Sequence, residues 1–234
     1  MKLMNKVKIK YALIRIVATV VLTLVGIFLK PFTFLLVSLP LLIRFIFFFG
    51  TSCGREITNY KDPKQALIVM DAQEGMCGES GMYKDYLKFL NKVNDSIDYA
   101  IRMNYKIIYV CQEFTIIEWP FAALVTGGRL LANKDGTELN RQLKIVDGKI
   151  FVKHQQDAFT SKEFSKYLVE NEIDTIYLTG LDAATCVYRT ALGGLKRKYK
   201  VNVVKDAIVT TNGILMKHIV KKYIKKGIGI VELK

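Results

Sequence analysis

Apolar residues are distributed unevenly along the chain, and their distribution divides it into two parts. The first fifty residues hold two long apolar runs, YALIRIVATVVLTLVGIFL and FTFLLVSLPLLIRFIFFFG, separated by Lys30 and Pro31. Farther along, short apolar runs alternate with longer stretches in which apolar residues recur every three or four positions. Short continuous runs indicate buried strands, and the three-to-four spacing indicates amphipathic helices. The pattern therefore predicts an apolar N-terminal segment followed by alternating strands and helices.

The second part contains six predicted strands. They are residues 65–71, 105–112, 148–154, 174–181, 200–207 and 228–233. Helices are predicted over residues 82–104, over 161–171, between the fourth strand and about residue 197, and over 212–226. Residues 113–149 are predicted to be irregular. Strands that alternate with helices form a parallel sheet covered on both faces. The predicted fold class is α/β, a Rossmann-like three-layer sandwich with a six-stranded parallel sheet.

Residues 1–50 have the length and composition of a membrane-anchoring hydrophobic segment. A hydrocarbon core is crossed by roughly 20 helical residues, so one straight helix over residues 11–50 would be about twice too long. Because Pro31 lacks an N–H group and disfavours helix at Lys30, we expect a break at Lys30-Pro31. A hairpin of two short spans and a single span with an interfacial second half both fit. The hairpin is preferred, although Pro40 and Arg44 make the second half a poor span.

This segment is followed by a predicted linker, residues 51–63, and by the predicted α/β domain, residues 64–234. In the hairpin topology, the basic residues on both flanks of the anchor lie on the cytoplasmic side. The expected location is therefore membrane-associated, with the α/β domain in the cytoplasm.

Charge follows the same division of the chain. Residues 1–50 contain seven Lys or Arg and no Asp or Glu, so half of the net charge of +14 belongs to them. The other lysines are scattered, and no aromatic-basic motif accompanies them, which argues against nucleic acid as a partner. A basic surface beside anionic lipid fits this composition better. The expected partner is membrane lipid, bound through residues 1–50.

The four cysteines are Cys53, Cys77, Cys111 and Cys186, and none of them forms a CxxC pair. Because no histidine cluster stands near them, we expect no zinc site. A disulfide framework is not expected in a domain of this size, and free thiols are typical of a reducing compartment. No metal and no other cofactor is predicted.

Three reactive residues stand at or just beyond the ends of predicted strands. Asp71 ends the first strand, Lys153 lies near the end of the third, and Cys186 follows the fourth. The carboxyl ends of parallel strands meet at one edge of a sheet, where α/β proteins place their sites. Taken singly, the three residues also fit a loop cap, a solvated strand end and a core thiol. Spacing alone leaves both interpretations open.

Five segments resemble the isochorismatase-like cysteine hydrolases in their order and spacing. They are ALIVMDAQ, GTELNRQL, FVKHQQDAF, TGLDAATCVYRTA and VNVVKDA. The superfamily includes nicotinamidases and carbamoylsarcosine-type amidases, and the resemblance covers roughly residues 64–234. It implies a catalytic triad of Asp71, Lys153 and Cys186, and a cis peptide bond between Leu181 and Asp182. It also implies an oxyanion hole formed by the backbone N–H groups of Asp182 and Cys186.

The implied chemistry fits these residue types. A cysteine attacks as the thiolate, and we expect a helix N-terminus and the Lys153 ammonium to lower the pKa of Cys186. Asp71 would accept the thiol proton and later donate it to the leaving amine. The resemblance therefore implies a membrane-anchored hydrolase that cleaves a C–N bond of a small amide or ureide through an acyl-enzyme on Cys186.

Two departures from the family pattern bear on the substrate. The metal-binding histidines of nicotinamidases are missing from YVCQEFTIIEWP, and Ala183-Ala184 replace a polar pair found in many relatives. The candidate substrate-binding residues are Gln73, Glu113, Trp119 and Phe159. Core packing explains Trp119 and Phe159 equally well.

Three alternatives remain open at this stage. The domain could be catalytically degenerate and bind a ligand or partner at a membrane, or it could be an isochorismatase-type ether hydrolase that needs no thiol. Because relatives are often oligomers, the resemblance also leaves a homo-oligomer open.

Overall fold

Residues 20–27, 31–83, 85–146, 148–210 and 213–233 are described in a computed structural model. The strands are β1 (Lys64–Met70), β2 (Lys106–Gln112), β3 (Lys149–Lys153), β4 (Ile173–Leu181), β5 (Lys200–Val209) and β6 (Gly229–Val231). They form one sheet in the order β3-β2-β1-β4-β5-β6, and every neighbouring pair is parallel. The predicted six-stranded parallel sheet is therefore confirmed.

Helices precede the sheet, connect its strands and cover both of its faces. They are α1 (Pro31–Phe48), α2 (Glu74–Cys77), α3 (Tyr86–Arg102), α4 (Trp119–Thr126), α5 (Lys162–Glu170), α6 (Cys186–Lys196) and α7 (Gly213–Lys225). Alternate residues of β1 enter two separate cores, because successive side chains of a strand point to opposite faces. Ile68 packs in the core that contains residues of α5, α6 and α7. Leu67 packs in the core that contains residues of α3, so the domain has three layers.

The prediction that residues 113–149 are irregular was wrong, because α4 lies within them. The sequence Trp119-Pro120 resembles a break, yet a proline is well tolerated in the first turn of a helix, where no N–H partner is needed. Thr115 and Glu118 form a capping box just before the helix, and Gly127 ends it with a φ of 65°. A helix of eight residues is too short to show a clear apolar period.

The last two turns of α1 pack against α4. Phe48 is buried in a cluster with Phe114 and Phe121, and Arg44 forms an ion pair with Glu118. The same Arg44 donates a hydrogen bond of 2.7 Å to the carbonyl oxygen of His154. The N-terminal segment is therefore attached to the α/β domain by specific contacts at its C-terminal end.

No helix among the described residues is both long enough and apolar enough to cross a membrane. The predicted spanning segment thus finds no support in that part of the chain. Residues 1–19 and 28–30, including Lys30 of the predicted break, lie outside the described residues, whereas Pro40 lies inside α1.

The predicted linker, residues 51–63, contains neither helix nor strand and lies against the domain. The backbone N–H and the hydroxyl of Ser52 donate hydrogen bonds of 2.8 and 2.7 Å to the buried carboxylate of Asp157. The N–H of Ile57 donates to the carbonyl oxygen of Arg197 at 2.9 Å. These bonds hold the segment in place along its length.

Candidate active site

The sheet brings Asp71, Lys153 and Cys186 to its carboxyl edge. Asp71 directly follows β1, Lys153 is the last residue of β3, and Cys186 is the first residue of α6. Gly180 allows β4 to approach β1 at this edge, because a Cβ atom there would lie 2.0 Å from the carbonyl oxygen of Met70. Gly180 also has a φ of 113°, which side chains disfavour.

The ammonium group of Lys153 lies at the centre of the cluster. Its Nζ is 3.0 Å from Oδ2 of Asp71 and 3.5 Å from Sγ of Cys186. A third contact, of 2.9 Å, joins it to Oε1 of Gln112. Lys153 and Asp71 are almost completely buried, and Cys186 is half-buried. The ammonium therefore holds a carboxylate and a sulfur on either side of itself, away from bulk water.

Asp71 has one oxygen free for proton transfer. Its Oδ1 is buried and has no hydrogen-bond partner among the described residues. The Cys186 sulfur contacts the same ammonium group as this carboxylate. A buried, unpaired acceptor is costly unless it has a role or gains a partner, and accepting the thiol proton would satisfy it.

Gln112 was not among the residues singled out from the sequence. It is the last residue of β2, and its Cα pairs with that of Lys153 in the adjacent strand. The signal that could have found it is this register, because neighbouring parallel strands bring equivalent end positions together.

The pKa of Cys186 departs from what the sequence suggested. Burial raises the pKa of the Cys186 thiol to about 12; the Lys153 ammonium opposes this shift, and Asp71 adds to it. The expectation of a lowered pKa for this cysteine was therefore wrong, because the ammonium does not outweigh burial. The resting site holds a protonated thiol, and attack requires a base.

The two partners of the thiol have raised pKa values as well. Burial raises the pKa of Asp71, and the Lys153 ammonium offsets only part of that increase. Burial by itself would lower the pKa of Lys153, but Asp71 and Cys186 outweigh it, so the net shift is upward. Lys153 therefore stays an ammonium across the physiological pH range.

The turn between β4 and α6 contains a cis peptide bond between Leu181 and Asp182. Hydrogen bonds within and around this turn are donated by the N–H groups of Ala183, Ala184, Thr185 and Val187. In the described structure, the N–H groups of Asp182 and Cys186 are not among these donors.

Two buried tyrosines, which the sequence did not indicate, hold the turn. The hydroxyl of Tyr83 donates to Oδ2 of Asp182 at 2.6 Å, and that of Tyr223 donates to the carbonyl oxygen of Ala183, also at 2.6 Å. Burial is the main cause of the strongly raised pKa of Tyr83, so this tyrosine remains a hydrogen-bond donor.

The four candidate substrate-binding residues occupy different environments. The side chain of Gln73 forms two hydrogen bonds with the backbone of Gln112. Its Nε2 donates to the carbonyl oxygen at 3.0 Å, and its Oε1 accepts from the N–H at 2.8 Å. The N–H of Glu113 donates to the carbonyl oxygen of Lys153 at 3.0 Å. Both residues therefore adjoin the cluster through their hydrogen bonds.

Trp119 and Phe159 have no comparable link to the cluster. Phe159 is buried in the core formed with α5 and α6, and the guanidinium of Arg197 lies 4.7 Å from its ring centroid. Trp119 is exposed at the beginning of α4. The structure therefore places Phe159 in the core and Trp119 at the surface.

The donor groups of the site do not fit a metal ion. In the described ranges, no group of three His, Cys, Asp or Glu residues is arranged to hold one. The carboxylate of Asp71 and the sulfur of Cys186 already contact the ammonium of Lys153, which lies where a metal ion would have to bind.

Comparison with solved structures finds the same α/β fold in several amidases. The N-carbamoylsarcosine amidase from Thermoplasma acidophilum is 25% identical, with a TM-score of 0.62, over 73% of this chain and 97% of that one. The pyrazinamidase of Pyrococcus horikoshii, solved in complex with zinc, is 22% identical, with a TM-score of 0.62, over 73% and 99%. The pyrazinamidase/nicotinamidase from Streptococcus mutans is 18% identical, with a TM-score of 0.65, over 72% and 100%.

The family model described as the isochorismatase domain matches residues 65–230. The chain belongs to the isochorismatase family of hydrolases. A comparison with curated protein sequences finds no match.

Proposed function

We propose that this chain is a cysteine amidohydrolase that cleaves the C–N bond of a small amide or ureide. The observation that carries the proposal is the buried contact of one ammonium group with both Asp71 and Cys186. Membership of a hydrolase family and the fold shared with amidases support the reaction class.

The reaction begins with a substrate carbonyl carbon placed beside Sγ of Cys186. Asp71 accepts the thiol proton on its unpaired oxygen while the sulfur attacks the carbonyl carbon. Lys153 stabilises the negative charge on the sulfur and on the carboxylate during this transfer. The backbone N–H groups of Asp182 and Cys186 then donate to the carbonyl oxygen, which becomes negatively charged.

The tetrahedral intermediate collapses when its C–N bond breaks. Protonated Asp71 donates its proton to the leaving nitrogen, so the amine departs neutral and a thioester remains on Cys186. A water molecule then loses a proton to Asp71 and attacks the thioester carbon. When the C–S bond breaks, the acid product is released, and the proton returns from Asp71 to the sulfur.

The covalent step can be tested by measuring the mass of the intact protein. After incubation with a panel of amides and ureides and an acid quench, we expect an increase equal to the acyl group of a turned-over substrate. Peptide mapping should place this group on Cys186, and the Cys186→Ser variant should lack the thioester.

Two other outcomes would contradict the covalent mechanism. Turnover without any adduct under single-turnover conditions would show that the thiol is not acylated. Binding of amides without adduct and without turnover would indicate the degenerate binding domain instead.

The raised pKa of Asp71 predicts the pH dependence of the reaction. Because the carboxylate must be ionised to accept the proton, activity is lost when Asp71 is protonated. A raised pKa moves that protonation to a higher pH, so kcat/KM should begin to fall well above pH 4, where an ordinary aspartate titrates. A profile that stays flat down to about pH 4 would rule out this role for Asp71.

We also propose that residues 1–50 attach the enzyme to a membrane, with the catalytic domain on the cytoplasmic side. Large apolar side chains are exposed in the described parts of this segment, including Val20, Leu24, Leu35, Leu39, Ile46 and Phe47. Seven basic and no acidic residues accompany them, a composition that favours anionic lipid.

A further inference from the structure

The catalytic domain carries its own exposed apolar turn, formed by residues 116–119. The exposed fractions of Ile116, Ile117 and Trp119 are 66%, 90% and 60%. Exposed loop tips are usually polar. A cluster of large apolar side chains at such a tip marks a site of interaction with a protein or a membrane. No step of the proposed hydrolysis uses these side chains.

The turn is held rigidly. Its first three residues form a 3-10 helix, closed by a capping box between Thr115 and Glu118. The carboxylate of Glu118 accepts hydrogen bonds of 2.9 Å from both the N–H and the hydroxyl of Thr115. Directly after the turn, Phe121 anchors α4 in the apolar cluster below. The exposed side chains are therefore presented by a fixed backbone.

The turn lies beside α1 through the ion pair of Glu118 with Arg44. Arg44 is flanked in α1 by Ile43 and Phe45, which are both exposed. The ion pair therefore places exposed apolar residues of α1 and of the turn next to its two members in sequence. Burial would raise the pKa of Glu118, but hydrogen bonds from Thr115 and Arg44 outweigh it and lower that pKa. The acidic residue of the turn thus stays ionised and paired with a cation.

We propose that Ile116, Ile117 and Trp119 insert into the headgroup region of an anionic bilayer beside α1. The inference rests on the membrane attachment proposed above and adds a second contact, made by the catalytic domain itself. Isoleucine side chains gain free energy on leaving water, and tryptophan is enriched at the boundary between lipid and water. An apolar helix with basic residues lies in this region in the same way.

Charge favours lipid over a second copy of the chain as the partner of this surface. The net charge is +14, and seven basic residues without an acidic one fall within residues 1–50. Two copies of a chain with this net charge would repel one another, whereas an anionic bilayer would attract the chain.

A second contact would also fix the orientation of the domain. The turn begins four residues after Gln112, which ends β2 and binds Lys153. The carboxyl edge of the sheet would therefore face the bilayer, and amides held at the lipid surface would be the substrates nearest to Cys186.

The chain contains a single tryptophan, Trp119, and its fluorescence reports directly on this turn. The full-length protein would be bound to vesicles of phosphatidylcholine and phosphatidylglycerol, with or without bromine atoms near the top of the acyl chains. We expect a blue shift on binding, protection from aqueous iodide, and loss of most of the emission in the brominated vesicles.

Substitution of an exposed isoleucine provides the matched comparison. Ile117→Asp should weaken vesicle binding about tenfold, as expected from the burial free energy of one isoleucine, and should reduce quenching by bromine. Ile224→Asp changes an isoleucine that is 61% exposed at the far end of the sequence, on α7, and should leave both measurements unchanged. Hydrolysis of a water-soluble amide in the absence of vesicles should be equal in the two variants.

Three results would overturn the inference. A vesicle-bound protein whose Trp119 is quenched by iodide and not by bromine would show attachment without insertion of the turn. A tryptophan shielded from both quenchers would show that protein covers the turn, either a second copy or residues 1–19. Failure to bind vesicles at all would remove both membrane proposals and would leave the amidohydrolase proposal standing.

Discussion

Replacing Cys186 by alanine should abolish amide turnover and leave the fold intact. The sulfur forms the covalent bond in the proposed reaction, so kcat/KM should fall by about 10⁴-fold or more, the loss typical of removing a catalytic nucleophile. Cys186 is half-buried at the first position of α6, and alanine fits there without a clash. Steady-state kinetics on the best substrate of an amide panel, together with thermal unfolding, measure both effects.

The matched control is Cys77→Ala. Cys77 is also a free thiol, is fully buried, and has a pKa raised by burial to about 12, but it takes no part in the proposed reaction. The Cys77→Ala variant should retain activity close to that of the unchanged protein. If the Cys186→Ala variant kept its amide activity, the thiol would be unnecessary and the covalent mechanism on Cys186 would be excluded.

Replacing Lys153 by methionine should abolish activity and also destabilise the protein strongly. The substitution leaves the carboxylate of Asp71 buried without its cation, which lies 3.0 Å away in the unchanged protein. Breaking a buried ion pair in this way typically costs about 3–5 kcal/mol in the free energy of unfolding. Urea or thermal unfolding measures this loss, which should shrink at low pH, where Asp71 becomes protonated.

The double variant Asp71→Asn/Lys153→Met provides the control for this interpretation. Because it carries no buried charge at either position, it should be more stable than Lys153→Met alone, yet equally inactive. An additive loss of stability from the two substitutions would show that the two groups are not coupled, which would contradict the buried pair. The Lys200→Met variant removes an exposed lysine that contacts Asp174 and should change stability little.

The sheet could be predicted because buried parallel strands have a distinctive pattern. β1 and β4 are short apolar runs that end in a turn, and both faces of each strand are covered by helices. The end positions of such strands converge by geometry, which is why Asp71, Lys153 and Cys186 could be grouped before the structure was known. The resemblance to a known family then suggested their roles.

Other features of the site depend on contacts between distant segments, which no local pattern records. Tyr83 supports the turn that contains Asp182, across 99 positions of sequence. The pKa of Cys186 depends on how deeply its sulfur is buried, and the sequence gives only the helix terminus and the cation. α4 was missed because a proline marks chain breaks as well as the first turn of a helix.

The bonds between α1, the following linker and the catalytic domain have a practical consequence. Arg44 donates a hydrogen bond to the carbonyl oxygen of His154, and the carbonyl oxygen of Phe48 accepts one from the N–H of Gln156. Ser52 donates to the side chain of Asp157. All three contacts fall within four residues of Lys153. A truncated enzyme that begins at residue 64 would lose this brace and would uncover Phe114 and Phe121. Purification for kinetic work should therefore retain the hydrophobic N-terminus in detergent or nanodiscs.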